Sequence, residues 1–438
     1  MSHAWSTSSL TARPRHRHVL LLAAGLLLLI LPVEAAAQAP PAGAPVPRLM
    51  MLPFAVPPVG GIPYSAAFQG TLSREIPREI GRRMAGTIDA EVSFFAPRTT
   101  VTGRPQLVVV QELQTAEQAL AIARRGSAAY VLDGVVKATD KLKFSVRLLD
   151  VTSGRLIWES VYEAPVAGAG RLLQQAARDL ALALPDKRGA ATADAPFPEH
   201  EPGWSTLLAY LRGEDLRFLQ EQEVALRNPA PIFDAFLEAI QRDRAYDAPR
   251  EALARTAWAE IAAARGPLAE PMATLDRMVV LRPDAFSYSA LARAQALAGE
   301  REAAQRNWAR SVEADPAYVA GWLEIAEGRL AKGEFAEAVD ALSAALALGV
   351  GSPAARARVR RDLGGAYLEM GEIDDAVAAL EASLKDNSGD PETQERLGRA
   401  YVAKAREPGA DSKLWSDRAL EAFGTSGRLR GLPEIPPP

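Results

Sequence analysis

The chain has 438 residues, 48% of them hydrophobic and 24% charged, with a formal net charge of −4. That length exceeds what one core usually organises, so more than one domain is expected, and the composition is not that of a disordered or collagen-like chain. There is no cysteine, which excludes disulfides, zinc–thiolate sites and a lipid-modified cysteine at a cleavage point, and the mild acidity offers no overall attraction to phosphate-rich partners such as nucleic acid.

Arg13, Arg15 and Arg17 precede the apolar run VLLLAAGLLLLILPV, and the small residues of AAAQA follow it. This is the layout of an export signal cut near Ala37, so residues 1–37 read as a cleaved leader and the mature chain as a bacterial periplasmic protein without a stable membrane anchor. An uncleaved anchor is the alternative, but a run of about 15 apolar residues broken by Pro32 is short against the roughly 20 that span a bilayer. QAPPAGAPVP, residues 38–47, is an extended Pro/Ala tether.

RLMMLPFAV (48–56) is a nearly continuous apolar run, the pattern of a buried central strand. A helix fits residues 65–87, with Phe68, Leu72, Ile76, Ile80 and Met84 three to four apart, and Pro77 should bend or break it. AEVSFF and QLVVVQEL read as strands, the second alternatively as an ordered loop. TAEQALAIARRG is a short helix capped by Thr115 and stopped by Gly126. YVLDGVVKA, LKFSVRLLDV and RLIWESVYE then form three successive strands joined by short, turn-rich connections, hence an antiparallel meander. In the middle strand Leu142, Phe144, Val146 and Leu148 share one face, the mark of a sheet with one side in a core. Trp158 on the last strand reads as core rather than as a partner contact. GAGRLLQQAARDLALALP closes the region as an amphipathic helix ended by Pro185.

Residues 48–185 resemble the TolB N-terminal-like domain family, on MLPF in the first strand, AAYVLDGVV leading into the meander, and LLDVTSGRLIWESVYE ending it. The resemblance implies an α/β domain of bacterial envelope proteins that docks to an envelope machine or to a copy of itself. QLVVVQEL has no clear counterpart in that pattern.

Residues 186–202 form a second linker rich in Pro, Ala and charge. Over residues 203–426 the sequence repeats with a period of 34. YVAGWLEIAEGRLAKGEFAEAVDALSAALALG places Trp322, Ile325, Ala326, Gly333, Ala338, Leu342 and Ala345 at the spacings of the tetratricopeptide pattern. A unit in register precedes it at Tyr288, Leu291, Ala292, Gly299, Ala304, Trp308 and Pro316, and another follows at Leu363, Gly364, Tyr367, Gly371, Ala376 and Leu380. A further unit carries Trp258, Ala259, Gly266, Leu275 and Pro283, with Pro271 where a small helix residue is usual, and a last one begins at Leu397, Gly398 and Tyr401. With an opening hairpin over residues 209–246, about six helical hairpins result, enough for a stable stack, and residues 427–438 are a Pro-rich tail. The expected fold is therefore multidomain: α/β, a mixed sheet with an antiparallel meander and flanking helices, followed by an all-α tetratricopeptide superhelix. That resemblance implies a concave groove, lined by the first helix of each pair, that holds peptides or partner helices.

Chemistry has little to work with. His3, His16 and His18 lie in the leader, which leaves His200 in a linker, so Ser-His-Asp, Cys-His and multi-histidine metal arrangements are not available. No phosphate-binding loop occurs, and no cofactor is expected. Acidic pairs such as Asp374 and Asp375 read as an exposed helix start favoured by the helix dipole. The groove holds the sharper clue, because by the tetratricopeptide resemblance Arg293, Arg358, Arg361 and Arg399 fall at first-helix positions that face it. Guanidinium groups gathered there would hold an acidic segment or a terminal carboxylate by bidentate hydrogen bonds; the competing reading is Arg scattered over exposed helix faces. These observations lead to the expectation of a non-catalytic periplasmic adaptor that recruits protein or peptide partners in the cell envelope. The alternatives are a structural subunit of an envelope or secretion complex, with homo-oligomers compatible with either, and a carboxylate-based hydrolase.

Overall fold

The structure is a computed structural model and describes residues 46–59, 64–85, 88–101, 104–185, 200–223, 228–263 and 268–431. The expected leader, nearly all of the tether, residues 186–199 of the linker, Gly266 and most of the Pro-rich tail lie outside the described residues. The chain divides into two compact units, residues 1–256 and 257–438.

The first unit is built on a five-stranded sheet of order β2-β1-β5-β6-β7, from β1 (Arg48–Met51), β2 (Glu91–Phe94), β5 (Tyr130–Ala138), β6 (Lys141–Asp150) and β7 (Leu156–Pro165). A separate antiparallel pair is formed by β3 (Arg98–Val101) and β4 (Arg104–Leu107). β1 runs parallel to β2 and β5, and β5, β6 and β7 form the antiparallel meander. Leu142, Phe144, Val146 and Leu148 are all buried, as the period-two pattern requires. Their face takes α1 (Ala66–Met84) and α3 (Ala169–Ala183): Phe144 stacks on Tyr162, whose hydroxyl donates to Asp179 of α3 at 2.8 Å. The other face packs Met50, Val131 and Leu149 against Ala119, Leu120 and Ala123 of α2 (Ala116–Arg125). At Gly134 of β5 a side chain would collide with the Ser145 carbonyl and the Phe54 ring, so the strand runs there without a Cβ.

Leu72, Ile76, Ile80 and Met84 of α1 are buried at the expected spacing, yet α1 runs unbroken through Pro77. Proline has no N–H to give the Ser73 carbonyl. That carbonyl instead accepts the Phe54 N–H at 2.8 Å, while the Ser73 hydroxyl donates to the Phe54 carbonyl at 2.7 Å. The missing helix bond is thus replaced by a pair that fastens the chain leaving β1 to the middle of α1. Of QLVVVQEL, only Gln106 and Leu107 lie in a strand. Val108 to Val110 are half-buried loop, with Val110 accepting from the Val56 N–H at 2.8 Å. Trp158 is half-buried on β7, at the sheet's edge, its ring 6.4 Å from that of Tyr162.

The first unit extends past Pro185 to Thr256 and takes in the opening hairpin, α4 (Trp204–Glu221) and α5 (Ala230–Arg242). α4 lies on the second face of α1, which is charged but buried. Asp215 accepts from Arg74 Nε at 2.6 Å and Nη2 at 2.8 Å and from the Thr71 hydroxyl at 3.1 Å, with both ionic side chains about 95% buried. Glu75 and Glu79 of α1 bind Arg78, Arg82 and Arg83, and Glu214 of α4 binds Arg217 and Arg82. Arg78 also lies 4.3 Å from the centre of the Phe218 ring. Every guanidinium in this layer faces a carboxylate, the condition under which buried charge is tolerated.

The array continues with α6 (Ala248–Ala262), and the second unit contains the hairpins α8–α9 (Ala285–Leu297, Arg301–Ala314), α10–α11 (Val319–Lys332, Phe335–Leu348), α12–α13 (Pro353–Met370, Ile373–Asp386) and α14–α15 (Pro391–Ala405, Ser412–Leu429). α7 (Ala269–Leu281) precedes them and accommodates Pro271 because it is the third helical residue, where no intrahelical N–H bond is needed. Ala326 and Ala338 are fully buried where α10 and α11 approach, and Gly333 ends α10 in the left-handed region at φ 75°. Close approach recurs at Gly364, where a Cβ would stand 2.6 Å from Leu380, and at Gly398, where it would stand 2.7 Å from the Phe423 ring.

Candidate functional site: the first-helix face of the array

The four arginines come from the first helices α8, α12 and α14 and differ sharply in what they touch. Arg293 on α8 is nearly buried and lies 4.7 Å from the ring centre of Trp258, whose indole N–H donates to the Ala290 carbonyl at 2.9 Å. Burial lowers the pKa of Arg293, and the charge of Glu324 works against that shift. Arg361 on α12 is held by Asp390 and Glu392, each at 3.1 Å, at the junction with α14. Arg399 on α14 is largely exposed and pairs with Glu395 one turn away at 2.5 Å, a contact worth little in water. Arg358 is half-buried and makes no hydrogen bond or ion pair among the described residues, although its charge acts on Glu324 and Asp362.

The structure thus brings Arg358 and Arg361 onto one helix but gives them different tasks. Arg361 belongs to a closed network in which Arg396 binds Glu392 at 2.7 Å and Asp362 and the Arg361 carbonyl at 3.4 and 3.3 Å. Arg396 reaches these acceptors by crossing Gly365, where a Cβ would stand 2.5 Å from its Nη1. Burial raises the Asp362 carboxyl, against the pull of Arg361, Arg396 and Arg358. Arg358 is left as the open cation.

Its counterpart is Glu324 on α10, which the basic pattern alone does not reveal. Burial, reinforced by Glu327, pushes its carboxyl up to about 7, while Arg293 and Arg358 pull it down. A usable signal existed in the sequence. The residue two before the small residue of each first helix is Ala290, Glu324, Asp362 and Arg396 in turn, so acid as well as base lies along the first helices. Among the described residues the face offers an uncommitted guanidinium, Arg358, within electrostatic reach of the Glu324 carboxyl, while Leu323 and Leu330 of α10 are half-buried and pack against the core of the array. Elsewhere, Asp374 at the start of α13 pairs with Lys404 at 2.6 Å, and His200 bonds Asp243 at 2.7 Å.

Residues 329–400 match a tetratricopeptide repeat family. Among solved structures, the chain is similar to the crystal structure of MamA (20% identity, 37% of this chain and 87% of that one, TM-score 0.32). It is also similar to MamA 41-end from Desulfovibrio magneticus RS-1 (18% identity, 41% and 96%, TM-score 0.34). A third is YrrB, described as a TPR protein with an unusual peptide-binding site (16% identity, 45% and 94%, TM-score 0.36). No curated protein matches the chain.

Proposed function

We propose that this protein is a non-catalytic adaptor whose helical array captures a segment of a protein partner on its first-helix face. The observation that carries the reading is Arg358, uncommitted among the described residues and within electrostatic reach of Glu324, while its neighbours Arg361 and Arg396 are tied to carboxylates. A guanidinium left half-buried without a carboxylate is costly unless a partner supplies one. The segment recognised therefore carries a carboxylate for Arg358. The tetratricopeptide match over residues 329–400 supports this use of the array.

The setting proposed is the bacterial periplasm, reached through the cleaved leader. The first unit serves there as a TolB N-terminal-like docking domain, a reading supported by its mixed sheet with the meander at one side. A photo-crosslinking residue placed at Leu323 in intact cells tests the groove. A defined adduct that disappears with Arg358→Glu and persists with Arg399→Glu is expected; an adduct indifferent to Arg358→Glu refutes capture at this face. Fractionation of the same cells tests the compartment, which is refuted if the protein is recovered with its leader in the cytoplasm.

A further inference from the structure

α13 and α15 occupy equivalent places in their hairpins. Leu380 meets Gly364 as Phe423 meets Gly398, and the hydroxyls of Ser383 and Ser426 donate to the carbonyls of Ala357 and Pro391 at 2.7 and 2.8 Å. This aligns Val377, Glu381 and Leu384 of α13 with Leu420, Gly424 and Gly427 of α15. On α13 the next first helix covers them: Val377 and Leu384 pack against the cluster that holds Leu397, Ala400 and Tyr401, and Glu381 accepts the Tyr401 hydroxyl at 2.9 Å. On α15 no helix among the described residues does so. Leu420 is 67% exposed, and a Cβ on Gly427 would meet nothing within 4 Å. The same side of α15 carries the exposed Asp417, Glu421 and Arg428, so Leu420 is an apolar spot in a charged surround that nothing among the described residues covers.

We propose that this face of α15 binds the same face of a second copy of the chain, with the two helices antiparallel about Gly424. The argument is one of charge and shape. At about 100° and 1.5 Å per residue, Leu420 and Gly427 lie on one flank of the Gly424 line and Glu421 and Arg428 on the other. In an antiparallel two-fold pair each flank meets its own copy with heights reversed, and residues four before and four after the axis meet those three after and three before it. Leu420 then falls over the partner's Gly427, and Glu421 beside the partner's Arg428, each twice by symmetry. A parallel pair would set Leu420 against the partner's Glu421. Among the described residues Arg428 donates only to the Thr425 hydroxyl, at 2.9 Å, and pairs with no carboxylate.

Sedimentation equilibrium of protein produced from the full-length gene tests this. A reversible dimer is expected, with Leu420→Glu monomeric and of unchanged helicity, since the site is exposed. Glu421→Arg should weaken association by about tenfold, and Glu421→Arg with Arg428→Glu should restore it. Deleting residues 432–438 should leave the dimer intact. A monomer at all concentrations, a dimer indifferent to Leu420→Glu, or a double reversal no better than the single one overturns the proposal. So does a dimer that forms only after the deletion, because the tail would then be what covers α15.

Discussion

Replacing Asp215 by alanine should loosen α4 from α1 more than any single change on the surface of either helix. The carboxylate holds Arg74 through two bonds, at 2.6 and 2.8 Å, and a third bond comes from Thr71. Removing it leaves a guanidinium that is only 6% exposed, pressed against Gly70, where a Cβ would stand 2.5 Å from its Nη2. Stranding one member of a buried ion pair costs about 3–5 kcal/mol, or roughly two to four orders of magnitude in the local opening equilibrium. A chain of two units has no single unfolding free energy, so the readout is hydrogen exchange resolved by peptide. Protection should fall by that factor in residues 66–84 and 204–221 and be unchanged in residues 319–386. The double change Arg74→Leu with Asp215→Leu should recover most of it, because an apolar pair of similar volume removes the unpaired charge. Unchanged exchange in α1 and α4 of Asp215→Ala would refute the view that this pair joins the hairpin to the α/β core.

Three further outcomes follow from the geometry. Glu324 has its pKa raised from 4.5 to about 7, so between those values the folded state binds more protons and stability falls as pH rises. Glu324→Gln should gain on wild type progressively from about pH 4.5 to 7 and then hold a constant advantage of about 1–2 kcal/mol, less than the shift alone implies because the site is partly solvated; a difference between the two urea curves that does not vary with pH refutes this. Gly398→Ala forces a Cβ to 2.7 Å from the Phe423 ring and should cost about 1–3 kcal/mol, read as a lower thermal midpoint of the second unit. Ser73→Ala removes the 2.7 Å bond to the Phe54 carbonyl and should cost about 1–2 kcal/mol; no loss would mean that carbonyl finds another donor.

The meander and the paired helices were legible because their signals are local. Alternation in Leu142 to Leu148 and the small residues of the repeats report burial within a few residues, and the structure buries them accordingly. The second face of α1 was not legible. Arg74, Glu75, Arg78 and Glu79 carry no local signal of burial, and only the partner helix, 141 residues on for the Arg74–Asp215 bond, makes them interior. Pro77 misled for the same reason, since the acceptor it frees is used by a distant strand end. At the groove, register placed the arginines on the first helices but could not tell which were already paired. Arg361 and Arg358 are three residues apart, and Asp390, contributed by the start of the next hairpin, separates their roles.

The ionic layer between α1 and α4 also bears on the order in which the chain can assemble. α1 is synthesised long before α4, and its apolar side can close on the sheet at once. The side that waits is made of Arg and Glu, which are well solvated and pair with neighbours three and four residues away. An intermediate holding the α/β core without the hairpin is therefore soluble rather than adhesive, unlike one that waits with leucines exposed. Pulse-labelled exchange during refolding should accordingly find the sheet protected before α4, with no concentration-dependent phase between the two events.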